Sequence, residues 1–249
     1  MFSNIIEFSA HQDIVSITQA RPEPIKLNIP EWYKKLKNPA YARTIKGCMP
    51  FLDTLTTGYV LKIPQQMYLK HNFEEDGIKK TIVKSSSDEY QILPNMELIY
   101  NVNHGEAAHS TEQLKDSPHV DHNRNLPIHK ILNPWYIKTP PGYSCLFLPP
   151  MNNGHKYISI IPGIVATDDF PYRVNFPFLV NGDKYPIVET MLEIGTPYVQ
   201  VIPFRRKTWK MKIKGLTTNE IVKVENSTGV KFDILHTYKD KFWSKPTWK

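Results

Sequence analysis

The chain has 249 residues, of which 41% are hydrophobic and 22% are charged, and these globular proportions exclude wholesale disorder. No apolar run approaches the ~18 residues of a membrane-spanning helix, and two cysteines, Cys48 and Cys145, are too few for a disulfide framework or a four-ligand zinc site. The first ten residues lack the basic and apolar regions of a secretion signal. We therefore expect a cytoplasmic protein without membrane contact.

Residues 1–57 are predicted to form an extended N-terminal arm with short helices. Proline is frequent in the chain, with 21 of 249 residues, and it favours turns and extended segments over helix interiors. RPEPIKLNIP at residues 21–30 is typical of an extended segment lying over a surface, and EWYKKLK at residues 31–37 of one short helix.

Residues 58–215 carry the pattern of a β core. Short runs of β-branched and aromatic residues recur there between prolines, glycines and asparagines, which indicates many short strands and a distorted jelly roll or β-barrel. The predicted strands are residues 58–63, 66–72, 79–84, 89–93, 96–102, 131–138, 143–149, 156–165, 172–180, 185–194, 198–204 and 208–213.

A polar insertion at residues 103–130 interrupts this core and is rich in histidine. Five of the nine histidines lie within it: His104, His109, His119, His122 and His129. His119 and Asp121 have the His-x-Asp spacing of the iron-binding triad in non-haem oxygenases, which would need a distal histidine such as His155 or His236. This alternative predicts an Fe(II)/2-oxoacid oxygenase with Arg173 or Arg205 holding the 2-oxoacid. The other interpretation is a solvated loop.

The C-terminal segment, residues 216–249, is predicted to be helical and basic. Thr217 and Glu220 have capping-box spacing at the start of an amphipathic stretch that reaches about Trp243, and Gly229 leaves two shorter helices open. Twelve basic and four acidic residues follow residue 204, a net charge of +8, and the preceding residues have a net charge of −1. The whole excess of +7 therefore lies in the last 45 residues. A solvated helix face is favoured over nucleic-acid contact, because acidic residues are interspersed.

Residues 133–204 resemble the core of the trimeric dUTPase and dCTP deaminase superfamily. The resemblance rests on the order of NPWYIKTPPGYSCLFLPP, PGIVATDDFPYRVNFPFLVN and LEIGTPYVQVIPF. The first contains a Pro-Pro-Gly turn of type II. Gly163, Ile164, Val165 and Asp168 match part of the Gly-Val-Ile-Asp-x-Asp-Tyr motif. Gly195 and Gln200 match Gly-x-x-x-x-Gln.

The same comparison argues against the chemistry of that superfamily. Ala166 stands where the dUTPases have the water-activating carboxylate, and alanine cannot act as a base. Residues 149–151, Pro-Pro-Met, replace the phosphate-binding Pro-Arg-Ser loop, and Phe178 lies near the position of the deaminase glutamate. The fold is expected without catalysis by either mechanism.

Over its full length the chain resembles a protein family of undefined function found in marine cyanobacterial viruses and some bacteria. The phrases that carry this resemblance are IPEWYKK, PFLDTLTTGY, NPWYIKTPPGYSCLF, PGIVATDDFPYRVNFPF and GTPYVQVIPFRRKTWK. It implies a viral source and the host-cell cytoplasm.

The leading functional expectation is a viral accessory protein that forms a homo-oligomer, such as a trimer, and binds a nucleotide or related small molecule at a subunit boundary. Aromatic side chains would stack on a base and arginines would bind phosphate. The predicted ligand-binding residues are Trp135, Tyr143, Asp168, Arg173, Gln200 and Arg205. The third interpretation is a virion or assembly component whose extended arms exchange between subunits.

Overall fold

Short strands make up most of the regular structure in the computed structural model. The model describes residues 4–39, 41, 44–73, 79–85, 111–123, 126–228, 238–244 and 247–249. The strands are β1 (Glu7–Ser9), β2 (Glu23–Pro24), β3 (Tyr59–Lys62), β4 (Met67–Phe73), β5 (Lys79–Ser85), β6 (His129–Ile131), β7 (Tyr136–Lys138), β8 (Tyr143–Leu148), β9 (Ile158–Ile160), β10 (Gly163–Val165), β11 (Phe176–Val180), β12 (Ile187–Leu192) and β13 (Pro197–Arg205).

These strands form four antiparallel sheets. Their orders are β10-β8-β13-β3-β2, β6-β11-β9, β12-β4-β5 and β1-β7. The mainly β expectation is confirmed, whereas the strands within the described ranges do not close into one continuous sheet. Pro203 is tolerated in β13 because β3 pairs only with residues 197–201, which leaves β8 as the one neighbour there.

A single apolar core lies between the sheets. Alternate residues of β13 and β8 point into it, including Val199, Val201 and Phe147, each no more than 1% exposed. Gly58 precedes β3 with a φ of +82°, and a Cβ at that position would lie 2.2 Å from the carbonyl oxygen of Val201. Only glycine allows the chain to enter the sheet so close to β13.

Short helices flank the sheets, mostly before β3 and after β13. The helices are α1 (Gln12–Ser16), α2 (Glu31–Lys35), α3 (Met49–Thr56), α4 (Pro118–His122) and α5 (Thr218–Thr228), with 3-10 turns at Thr18–Ala20, Ile25–Asn28, Ile45–Gly47 and Thr111–Leu114 and a π turn at Tyr238–Phe242. Along the described part of the chain, no helix combines the length and apolarity that crossing a bilayer requires.

Several sequence predictions are confirmed. The helix expected within residues 31–37 is α2, and the Thr217 capping box opens α5: the Thr217 amide donates to Glu220 Oε2 at 2.9 Å, and the Glu220 amide to Thr217 Oγ1 at 3.3 Å. The type II turn is confirmed by the φ of +84° at Gly142 and by the bond from the Tyr143 amide to the Pro140 carbonyl, 3.2 Å long.

Other strand predictions need correction. Residues 131–138 are two strands, interrupted at Asn133-Pro134, and Pro162 divides residues 156–165 into β9 and β10. Residues 208–213 are not a strand, because they pair with no strand in the described chain. The predictions for residues 89–93 and 96–102, for His104 and His109 and for the interruption at Gly229 lie outside the described residues.

Candidate functional site

An ion pair fixes the chain where β13 ends. The backbone amide of Arg206 donates to the Gly142 carbonyl at 2.8 Å, and its guanidinium meets Asp168 with both terminal nitrogens, Nη1 lying 2.8 Å from Oδ1. The Asp168 side chain is only 7% exposed. A paired, planar contact of this kind is stronger and more directional than an ordinary hydrogen bond.

The type II turn completes the cradle around Asp168. The positive φ of Gly142 turns its backbone amide toward Asp168 Oδ2, to which it donates at 2.7 Å. Hydrogen bonds from Arg206 and from this amide hold the pKa of the Asp168 carboxyl well below its ordinary value. Because both oxygens are occupied and the group is a weak base, Asp168 organises the chain rather than accepting a proton.

Beyond Arg206 the chain is exposed and lies outside the sheets. We call residues 205–216 the C-terminal arm; from residue 206 onward it has no regular structure, and all of its residues are exposed. Its beginning lines an open cleft of about 400 Å³ together with Phe204. Arg205 and Lys207 have no ion-pair partner within the described ranges, and Trp209 is 86% exposed. The cleft therefore presents two available cations beside an uncovered indole.

Most of the net positive charge that follows residue 204 lies in this arm. No acidic residue lies between Arg205 and Glu220. Six residues of the arm are basic: Arg205, Arg206, Lys207, Lys210, Lys212 and Lys214. The solvated amphipathic helix expected from the sequence is α5, which holds one lysine, Lys223, and two acidic residues, Glu220 and Glu225. The basic residues thus precede the helix instead of covering its face.

Of the predicted ligand-binding residues, three lie together at the start of the arm. Asp168 binds Arg206, and Arg205 is the register partner of Tyr143 across β13 and β8. The Tyr143 carbonyl accepts from Arg206 Nη1 at 2.7 Å, and its hydroxyl donates to Asn4 Oδ1 at 3.2 Å.

The other three predicted residues are engaged elsewhere. Gln200 is fully buried: its Oε1 accepts from the Met151 amide at 2.9 Å, and its Nε2 donates to the carbonyls of Thr54 and Thr57 at 3.1 and 2.7 Å. Trp135 is a core residue, 3% exposed. The guanidinium of Arg173 lies 5.6 Å from the ring centroid of Tyr136.

No family model, curated protein or solved structure matches this chain. Both family resemblances therefore rest on the residues quoted for them and stay predictions.

Among the described residues the predicted iron ligands do not come together, and His236, the other possible distal histidine, lies outside the described residues. His119 and Asp121 lie on α4, where residues two apart point to different sides of the helix, whereas the triad needs them on one side. His155 Nδ1 accepts from the Tyr157 amide at 3.2 Å. Within the described residues, no three His, Cys, Asp or Glu side chains are grouped so as to hold a metal ion.

Sequence reasoning passed over Trp209 and Lys207, which lie at the centre of the cleft. The signal was present in RRKTWKMKIKG, where basic and apolar residues alternate. This alternation predicted a strand of the β core, and it did not indicate that the segment would lie outside the sheets.

Proposed function

We propose that the protein is a viral accessory protein that binds single-stranded nucleic acid with its C-terminal arm. The single observation that carries the proposal is an exposed segment with six cations, no acidic residue and an uncovered tryptophan. Arg206 and Lys214 are paired with Asp168 and Glu220, and the other four cations have no ion-pair partner in the described chain. Cations that follow a phosphate backbone, with an aromatic ring on which a base can stack, are the general means of binding single strands.

The arrangement favours a polymer over the mononucleotide expected from the sequence. Lys210, Lys212 and Lys214 recur at every second residue, so on an extended chain they point to one side about 7 Å apart. A row of cations suits a ligand with a row of phosphates. The cleft at Arg205, Lys207 and Trp209 can bind one base and its phosphate.

The proposal also includes the type of β fold and the oligomeric state. A distorted, dUTPase-like jelly roll is supported by the order of the Pro-Pro-Gly turn, β10 and β13 along the chain. We propose a trimer for the same reason. Catalysis is not part of the proposal, because Ala166 replaces the dUTPase base and Asp168 is bound by Arg206.

The test is fluorescence anisotropy with a labelled oligothymidylate over a series of salt concentrations. The triple variant Lys210→Gln, Lys212→Gln, Lys214→Gln should bind more weakly. Its plot of log affinity against log salt should be flatter by about 2, since each phosphate contact to a single strand contributes about 0.7. Trp209→Ala should weaken binding by about 1–3 kcal/mol without changing the slope.

The matched control is Lys35→Gln, Lys37→Gln, Lys184→Gln, which removes the same charge from exposed positions elsewhere. It should bind as the wild type does. Equal weakening in both triple variants would show that net charge alone attracts the oligonucleotide, and an absence of binding at low salt would refute the proposal. Competition by free dTTP distinguishes the two ligands: a site for a polymer should keep the oligonucleotide bound, whereas a mononucleotide site should release it when dTTP is added.

A further inference from the structure

The C-terminal arm has an apolar side that nothing in the described chain covers. Trp209, Met211 and Ile213 are 86%, 83% and 85% exposed. Side chains alternate between the two sides of a strand, so in a strand formed by this segment these three would share one side and the lysines the other. Exposed apolar surface of this kind marks a place where another surface binds.

The edge of β12 offers a matching surface. Among the described strands β12 pairs only with β4, so no described strand bonds to the backbone donors and acceptors of its other edge. Val188 and Leu192 point into the core, whereas Ile187, Glu189 and Met191 point outward. The strand has six residues, as does the alternating segment 208–213.

We propose that the C-terminal arm of one copy adds to β12 of a second copy as an additional strand. Trp209, Met211 and Ile213 then extend the apolar layer beside Val188 and Leu192. The lysines lie on the outer face, where one of them approaches the carboxylate of Glu189 from the side opposite Lys70, whose Nζ lies 3.0 Å from Glu189 Oε2. Addition of a strand to a free sheet edge gains main-chain hydrogen bonds, while the side chains determine which edge is chosen.

Charge favours the edge of β12 over the edge of β5 and over pairing between two arms. β12 and the residue after it contain Glu189 and Glu193 and no basic residue, whereas β5, at the opposite side of the same sheet, has the sequence KKTIVKS. Pairing of two arms with each other would place lysine against lysine, which is unfavourable.

The arrangement also favours a second copy over the chain's own β12. Arg206 holds the start of the arm to Asp168, beside the β8–β13 pair of the five-stranded sheet, whereas β12 belongs to another sheet. Within one chain the arm forms no ladder with any described strand. Each copy can thus give one arm and receive one, which closes a symmetric assembly.

The first experiment detects the contact by disulfide formation between separately purified variants, in a Cys48→Ser background without nucleic acid. Lys212→Cys or Lys210→Cys is mixed with Ile187→Cys or Met191→Cys under mild oxidation. A cross-linked dimer in the mixtures supports the proposal, and the pair that reacts faster gives the strand direction. Cross-linking of the arm variants alone, or no cross-linking in any mixture, would overturn it.

The second experiment measures mass by sedimentation. The wild type should be an oligomer, and Trp209→Asp with Ile213→Asp should dissociate it without loss of the monomer fold, because both side chains are exposed. The control is Leu27→Asp with Tyr172→Asp, at positions 63% and 69% exposed outside the arm. A monomeric wild type, or equal dissociation by the control, would refute the exchange. Strand exchange covers Trp209, on which the proposed function stacks a base, so one arm cannot serve both roles at the same time. Both experiments are done without oligonucleotide, so this proposal and the proposed function fail separately.

Discussion

Acidification should destabilise the fold through His129 in β6. This side chain is 6% exposed, and its ring lies 5.5 Å from that of Phe178 between centroids. Burial, with a contribution from the nearby His71, lowers the pKa of His129 from 6.5 to about 4. The folded state therefore keeps the imidazole neutral where the unfolded chain already binds a proton.

The direction and the size of the change in stability with pH follow from this difference in pKa between the folded and unfolded states. Stability is complete above pH 6.5 and is lost as the pH falls from 6.5 toward 4, because the unfolded state binds more protons in that window. At about 1.4 kcal/mol per pKa unit, the loss attributable to His129 is about 2 kcal/mol between pH 7 and 5 and about 3 kcal/mol by pH 4.

Urea unfolding followed by circular dichroism at pH 7, 6 and 5 measures this loss. His129→Leu cannot titrate, so its free energy of unfolding should fall by about 2 kcal/mol less than that of the wild type between pH 7 and 5. His119→Gln, at an exposed position on α4, should keep the wild-type dependence. If His129→Leu loses as much stability as the wild type over this range, the assignment to His129 is wrong.

Three further outcomes concern the core. Gly58→Ala should cost at least about 2 kcal/mol in urea unfolding, from its positive φ and the 2.2 Å approach of a β13 carbonyl, whereas Gly163→Ala, with open space around it, should cost under about 1 kcal/mol. Gln200→Leu should cost about 3 kcal/mol or more, because three backbone groups lose their partner; a loss below about 1 kcal/mol would contradict this role. Cys145, fully buried with its pKa raised to about 11, should resist thiol labelling at pH 8 while Cys48 reacts; two labelled thiols in the native protein would contradict it.

Local pattern was sufficient to predict the strands around the turn at Gly142. Three adjacent patterns each predicted one kind of structure, and these structures are compatible with one another. They are the apolar run of β8, the Pro-Pro-Gly turn and the alternation of β13, and the structure contains all three. Alternation in residues 208–213 predicted a strand equally well, but a strand also needs a partner, and a pattern within one segment does not contain that information.

The candidate site was harder to predict because the same residue types serve structure and function. Gln200 has the spacing expected of a ligand-binding residue, and in the fold it joins β13 to helix α3 at Thr54 and to the loop at Met151. His119 and Asp121 have a spacing that places them together on a strand and apart on a helix. In the structure both residues lie on the short helix α4, so they are apart. The polar sequence of this helix has no strong periodicity from which the helix could have been predicted.

The position of β13 at the centre of the five-stranded sheet has a consequence for folding. Its neighbours β8 and β3 precede it in the chain. β3 ends at residue 62, and its partner β13 begins only at residue 197. Contacts so distant in sequence slow folding to the range of milliseconds to seconds. During synthesis the edges of β3 and β8 that pair with β13 stay open until residue 205 has left the ribosome, so the nascent chain is most prone to aggregate just before that point.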